Sequence, residues 1–293
     1  MTRSIASPLL CLSILVLLGC RAAEAQRLTS SSPVTFYAAP NGIDLGNDCL
    51  SQATPCTPQG AHSVALRKWD FAGSSCTISL APGVYNTTVD IAGQYVGAHL
   101  CQVYGYVDSA NTCIDRTAVV LIPSAGRAAF DIEDEMMASI ACITVQGGAQ
   151  ATGFFGRQHV VIDLADINCG SIGSCITLTA HADVNIARDI WISGNEDSFV
   201  AADRHSRLTF ADGSNVVAKL PVNVGYLFLS YNHSMIEFAA GVYDPVLNPD
   251  GNQIINPQFL AGSRCEPSWM GTINANGVAL PCTIKLGPDG KVY

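Results

Sequence analysis

Two groups of polar residues in this chain are spaced for chemistry. The first is a column. Arg157, His181, His205 and His233 each stand five residues before an apolar anchor, namely Ile162, Ile186, Phe210 and Phe238. If the segments carrying them stack in register, the four side chains form a ladder of guanidinium and imidazole suited to an acidic sugar or a metal. Rungs about 4.8 Å apart do not converge on one metal ion. The competing reading is that a His opening a strand after a turn only satisfies a turn carbonyl. The second group is acidic. Asp131, Glu133, Asp134 and Glu135 crowd the end of the strand at Phe130, and Asp163, Asp166 and Asp189 follow. Hard oxygen ligands from neighbouring segments suit Ca²⁺, against which stands a simple solvated acidic bend.

Both groups need a repeating scaffold. Arg157–Ile162, His181–Ile186, His205–Phe210 and His233–Phe238 read alike, and their last residues step by 24, 24 and 28. Each carries apolar residues two apart (Val160/Ile162, Val184/Ile186, Leu208/Phe210, Ile236/Phe238), the period of a half-buried strand. A strand recurring every two dozen residues predicts a solenoid, in which each turn buries its apolar side only against the next. A second series, Ile143, Ile167 and Ile190, steps by 24 and 23, and Val119 to Ile122 is a further strand. Val103 lies 25 beyond Ile78, and Phe130 lies 27 beyond Val103, which extends the same series of rungs. Ile78 to Phe238 then amounts to about seven coils. Ala61 to Phe71 is the best helix, placed to cap the open end of the stack and protect its terminal strand edge. The expected organisation is residues 1–25 as a leader and 26–293 as one domain: an N-terminal cap at about 34–75, coils over 76–241, and a C-terminal cap over 242–293.

The opening "TFYAAPNGIDLGNDC…TPC…CTISLAPGVYN", Thr35 to Asn86, resembles right-handed parallel β-helix proteins of the pectate-lyase-like superfamily. Those begin with a strand, an Asn-Gly-x-Asp turn, a capping helix, and a strand ending in a Pro-Gly-x-Tyr turn. The resemblance implies an all-β right-handed parallel β-helix and says little about chemistry. In lyases of this superfamily a Ca²⁺ neutralises the uronate carboxylate and a nearby Arg or Lys takes the ring proton. By that resemblance Asp131, Glu133, Asp134, Asp163 and Asp166 would hold the metal, and Arg157 or Arg188 would be the base. The hydrolase motifs of polygalacturonases (Asn-Thr-Asp, Asp-Asp, Gly-His-Gly, Arg-Ile-Lys) and the methylesterase motif are absent from the sequence. Gly153-Phe-Phe-Gly156 reads equally as packing or as a sugar platform.

With 15 Lys+Arg against 24 Asp+Glu, the chain is a poor partner for nucleic acid or anionic membranes. Arg3, the apolar run from Leu9 to Leu18 and Ala23-Glu24-Ala25 before Gln26 form a secretory leader, too short to span a bilayer. The rival is a lipoprotein-like Leu17-Leu18-Gly19-Cys20 with acylation at Cys20. Export, to the exterior or a periplasm, makes the ten cysteines beyond that leader candidates for disulfides. Cys49 and Cys56, Cys169 and Cys175, and Cys265 and Cys282 are close in sequence. Cys76 and Cys101, like Cys113 and Cys142, are separated by about one repeat. Two functions remain open at this point. One is a polysaccharide-binding solenoid, catalytic by β-elimination with Ca²⁺. The other is a non-catalytic binding or structural solenoid.

Overall fold

The computed structural model describes residues 27–98, 100–211, 214, 216–230 and 234–238, with backbone alone at 195, 218–227, 237 and 238. It also describes the backbone of 253–255, 272–275, 278–280 and 283–286. The leader 1–25, His233, Cys265, Cys282 and most of the 242–293 cap lie outside these residues.

The architecture is a parallel β-solenoid of about six turns. Each turn presents three faces. On face A, Val34–Ala38, Cys76–Leu80 and Cys101–Tyr104 pair in sequence, followed by 137–141, 161–164, Asp183–Ile186, Arg207–Phe210 and Met235–Phe238. Face B runs from Gly83–Tyr85 through Val119–Leu121, 143–146 and 167–170 to 190–193. Face C runs from Val89–Ala92 through Ala128–Glu133, Thr152–Arg157 and Ser174–Thr179 to 198–202. Six complete circuits start at Cys76–Leu80, fewer than the seven expected from spacing. Seven face A strands, from Cys76–Leu80 to Met235–Phe238, close six circuits. Phe130 pairs with Val89 and Phe154 on face C, whereas Val103 pairs with Ile140 on face A. Phe130 is therefore not the rung after Val103. The 37-residue step from Val103 to Ile140 includes a hairpin, Tyr106–Val107 with Cys113–Asp115, that leaves the coil.

Vertical columns of like residues fill the interior. On face A, Phe36, Ile78, Val103, Ile140, Leu164, Ile186 and Phe210 lie one above the next, all buried. Face C contributes Val89, Phe130, Phe154, Ile176, Val200 and Phe228, with the Phe130 and Phe154 rings stacked at 5.4 Å. Each such side chain contributes roughly 1.5–3 kcal/mol by leaving water, but only while its neighbours are in place. The expected register is off by two residues at one step. Ile162 sits under Val184, and it is Leu164 that sits under Ile186.

The helix α1 covers the open end, at Pro58–Lys68 rather than Ala61 to Phe71. Thr57 is its N-cap and accepts from the Gly60 amide, and Pro58 opens its first turn. Asp44 of the Asn-Gly-x-Asp turn receives the Thr57 amide (2.8 Å) and hydroxyl (2.7 Å), so the turn and the cap are one structure. Gly83 of the Pro-Gly turn has φ +150°, and a Cβ there would stand 2.5 Å from Pro40.

Four of the five expected disulfides join the described residues: Cys49–Cys56, Cys76–Cys101, Cys113–Cys142 and Cys169–Cys175. The fifth expected bond, between Cys265 and Cys282, is not among them. Cys282, like Cys265, lies outside the described residues, so that pairing stays an expectation from sequence alone. The four bonds that do form belong to an oxidising environment. No helix among the described residues is long and apolar enough to cross a membrane.

Two consequences can be measured. Phe154→Ala removes the centre of the face C column and is expected to cost about 3–5 kcal/mol in denaturant unfolding. His62 in α1 is buried against Tyr95, and desolvation first, then Arg67, lowers its pKa from 6.5 to about 4. The unfolded chain binds the proton more tightly, so stability is full above pH 6.5 and falls as pH drops toward 4. His62→Phe is expected to flatten that part of the stability–pH curve.

Candidate functional site

The polar groups singled out by spacing fall at different places on the coil. Arg157 ends its face C strand beside Glu133 and Asp131 of the preceding turn. Its Nη2 is ion-paired to Glu133 Oε2 at 2.7 Å, and its Nε lies 3.5 Å from Asp131 Oδ1. The second contact is ionic without hydrogen-bond geometry, so both atoms keep unused bonding capacity. Asp131 is half-buried. Desolvation raises its pKa, and the Arg157 charge opposes that shift. Arg127, paired to Asp90 at 3.0 Å, stands beside it. A surface cleft runs between these groups, bounded by Arg127, Asp131, Thr152, Phe155 and Arg157. Its aromatic wall is Phe155, with the Arg157 guanidinium 5.6 Å from the ring centroid. The Gly153-Phe-Phe-Gly156 segment thus divides by strand alternation: Phe154 packs inward on Phe130 and Phe155 faces the cleft.

The turn from face C back to face A carries the imidazoles. His159, His181 and His205 stack with ring centroids 4.9 and 5.1 Å apart and planes within 6°. All three are exposed. The column differs from the expected one at its first member: Arg157 pairs with Thr179, and His159 stands on His181. Each His is the second of two consecutive left-handed residues (Gln158-His159, Ala180-His181, Arg204-His205), and Asp134-Glu135 repeats the turn one coil earlier. Backbone amides tie the turns together, from Glu135 to the Gln158 carbonyl, His159 to Ala180, and His181 to Arg204. The three exposed rings stack beside this ladder of backbone bonds.

The expected Ca²⁺ pentad is not assembled. Asp131 and Glu133 are on face C with Arg157, and Asp134 is exposed in the following turn. Asp163 is on face A, accepting from Asn185 Nδ2 at 3.2 Å. Asp166 is at the bend between faces A and B, paired to Arg188 at 2.9 Å. Among the described residues no three His, Cys, Asp or Glu side chains are placed to hold a metal ion. Spacing along the chain could not reveal this, because a carboxylate's position around the coil depends on where each bend falls.

The A–B bend is a second polar centre. Burial raises the Asp166 pKa, opposed by Arg188 and then Arg116. Arg116 belongs to the hairpin insertion and lies 4.2 Å over the Trp191 ring. The Cys113–Cys142 bond and the Thr144 hydroxyl, which donates to the Arg116 carbonyl at 2.9 Å, hold that insertion on the coil. Sequence reasoning missed Arg116, Trp191 and His159. The separations of 22 and 24 between His159, His181 and His205 were the available signal for the last.

No family model matches the chain, and no curated protein or solved structure is similar enough to match it.

Arg157 neutralises two carboxylates at this surface. Arg157→Ala is expected to destabilise the protein by about 1 kcal/mol at neutral pH. The loss should shrink at pH 3, where Asp131, whose pKa is raised by burial, gives up its charge, as followed by urea unfolding at both pH values.

Proposed function

We propose that this is an exported β-solenoid that binds polysaccharide on face C and along the adjoining imidazole edge, without cleaving it. The observation that carries the proposal is the cleft at Phe155. A partly exposed ring, two guanidinium groups and a carboxylate with spare acceptor capacity meet there on rigid strands. Sugar rings are bound by such a combination: an apolar face against an aromatic ring, and hydroxyls against planar polar groups. His159, His181 and His205 continue the surface along the stacking direction, so an extended chain suits it better than a single small molecule. The pectate-lyase-like opening and the leader support an exported glycan-directed role.

Chemistry argues against β-elimination at these residues. A guanidinium whose donors are taken up by carboxylates is not placed to take a ring proton. Arg157 has two such partners and Arg188 has one. The carboxylates needed for a shared Ca²⁺ stand apart on the coil.

Calorimetric titration with neutral and uronate-rich oligosaccharides tests the reading. Binding is expected, weakened tenfold or more in Phe155→Ala and Arg157→Ala, with no unsaturated uronate formed whether or not Ca²⁺ is added. Turnover, or binding indifferent to both substitutions, would overturn it.

A further inference from the structure

The corner where face A turns into face B, at the capped end of the coil, holds a second cleft of about 380 Å³. It shares no residue with the cleft on face C. Its floor is the outward side of the first two rungs of face A. Tyr37 and Ser79 are paired across the strands there, and they alternate with the buried Phe36, Ala38, Ile78 and Leu80. Pro82 of the Pro-Gly turn extends the floor. Buried Tyr85, at the end of that turn, donates to the Ala81 carbonyl at 2.6 Å and so holds the corner in place.

The walls are two segments inserted between coil strands, and each is fastened by a disulfide. The loop between Val34–Ala38 and α1 brings Gln52 and Pro55 to the cleft. The Tyr37 amide donates to the Cys49 carbonyl at 2.7 Å, the Cys56 amide donates to the Tyr37 carbonyl at 2.9 Å, and the Cys49–Cys56 bond closes the loop. The hairpin of Tyr106–Val107 with Cys113–Asp115 brings Tyr106, which is 41% exposed, and is anchored by Cys113–Cys142. Walls tied down in this way lose little freedom when a ligand fills the space between them.

The lining selects the class of ligand. The chain carries a net charge of −9, yet no charged side chain lines this cleft. The cleft on face C, by contrast, is lined by Arg127, Asp131 and Arg157. An ion entering the corner would give up water without meeting an opposite charge, so a neutral ligand fits it. Two phenol rings and two prolines offer apolar area. A carboxamide, a serine hydroxyl and the phenol hydroxyls offer donors and acceptors. A pyranose has the matching surfaces, an apolar C–H face and an edge of hydroxyls. Small-molecule sites span about 300–1,000 Å³, and this one is at the small end, which suits one or two sugar rings rather than a polymer laid along the coil.

We propose that the A–B corner binds a neutral mono- or disaccharide unit, with Tyr37 and Tyr106 against the sugar ring and Gln52 and Ser79 on its hydroxyls. The site does not depend on the polysaccharide reading of face C.

The test is calorimetric titration of cellobiose, maltose and lactose, each alone, into the full disulfide-bonded protein, with digalacturonate as a charged competitor. At least one neutral disaccharide is expected to bind. Tyr106→Ala should weaken that binding roughly tenfold and Gln52→Ala roughly threefold, both positions being exposed. Phe155→Ala should bind the disaccharide as the wild type does, and digalacturonate should not displace it. Absence of binding by all three sugars, binding indifferent to both Tyr106→Ala and Gln52→Ala, displacement by digalacturonate, or loss of binding in Phe155→Ala overturns the proposal. Failure of the face C reading has a different signature: long uronate chains do not bind, while disaccharide binding persists. If Tyr106→Ala does not fold, Gln52→Ala and the competition still decide the matter.

Discussion

In-register stacking of one turn on the next is the constraint on which everything else depends. No single turn of this chain has an interior. The column from Phe36 to Phe210 exists only because seven strands place one apolar residue each at the same height around the coil. The same translation that aligns the core aligns the surface. Imidazole falls on imidazole at about 5 Å, and Thr144, Asn168 and Ser193 hand hydrogen bonds from coil to coil. Function in such a scaffold is built by repetition along a face and by exceptions at bends.

The exceptions are where polar chemistry collects. Each of the three bends has its own character. The C–A turn uses paired left-handed residues and displays His. The A–B bend carries Asp166 beneath an inserted hairpin. The B–C bend is glycine-rich and holds Glu196, whose carboxyl has no partner at either oxygen. A disulfide ties the hairpin to the A–B bend at Cys142, which is itself in the left-handed region. The flat faces, by contrast, are strand, and the cleft on face C owes its polarity to Arg127, Asp131 and Arg157 around the Phe155 ring.

Much of this was legible in the residues. Alternation gave the strands, the two-dozen spacing gave the coil, and the Asn-Gly-x-Asp and Pro-Gly turns gave the capped start. What escaped was what period-two patterning cannot encode. A slip of one residue would have turned Ile162 to solvent, but a slip of two keeps every apolar residue inward. The pattern therefore could not choose between Ile162 and Leu164 as the partner of Ile186, and the choice of Ile162 put Arg157 in the place of His159. Phe130 was assigned to the wrong face for a related reason: an inserted hairpin lengthens one coil without disturbing its strands. The carboxylates looked clustered because they are close in sequence, whereas the bends distribute them around the coil. Glu196 left no signal, since a single acid in a strand reads as an outward residue.

The register is the most direct point of attack. Paired cysteines at 159 and 181, in an otherwise native chain, should cross-link on mild oxidation, because the two positions are vertical neighbours about 5 Å apart. A pair at 157 and 181 should not. Mass mapping of the products would read both. Cross-linking of 157 to 181 in preference to 159 to 181 would contradict the stacking described for the whole coil.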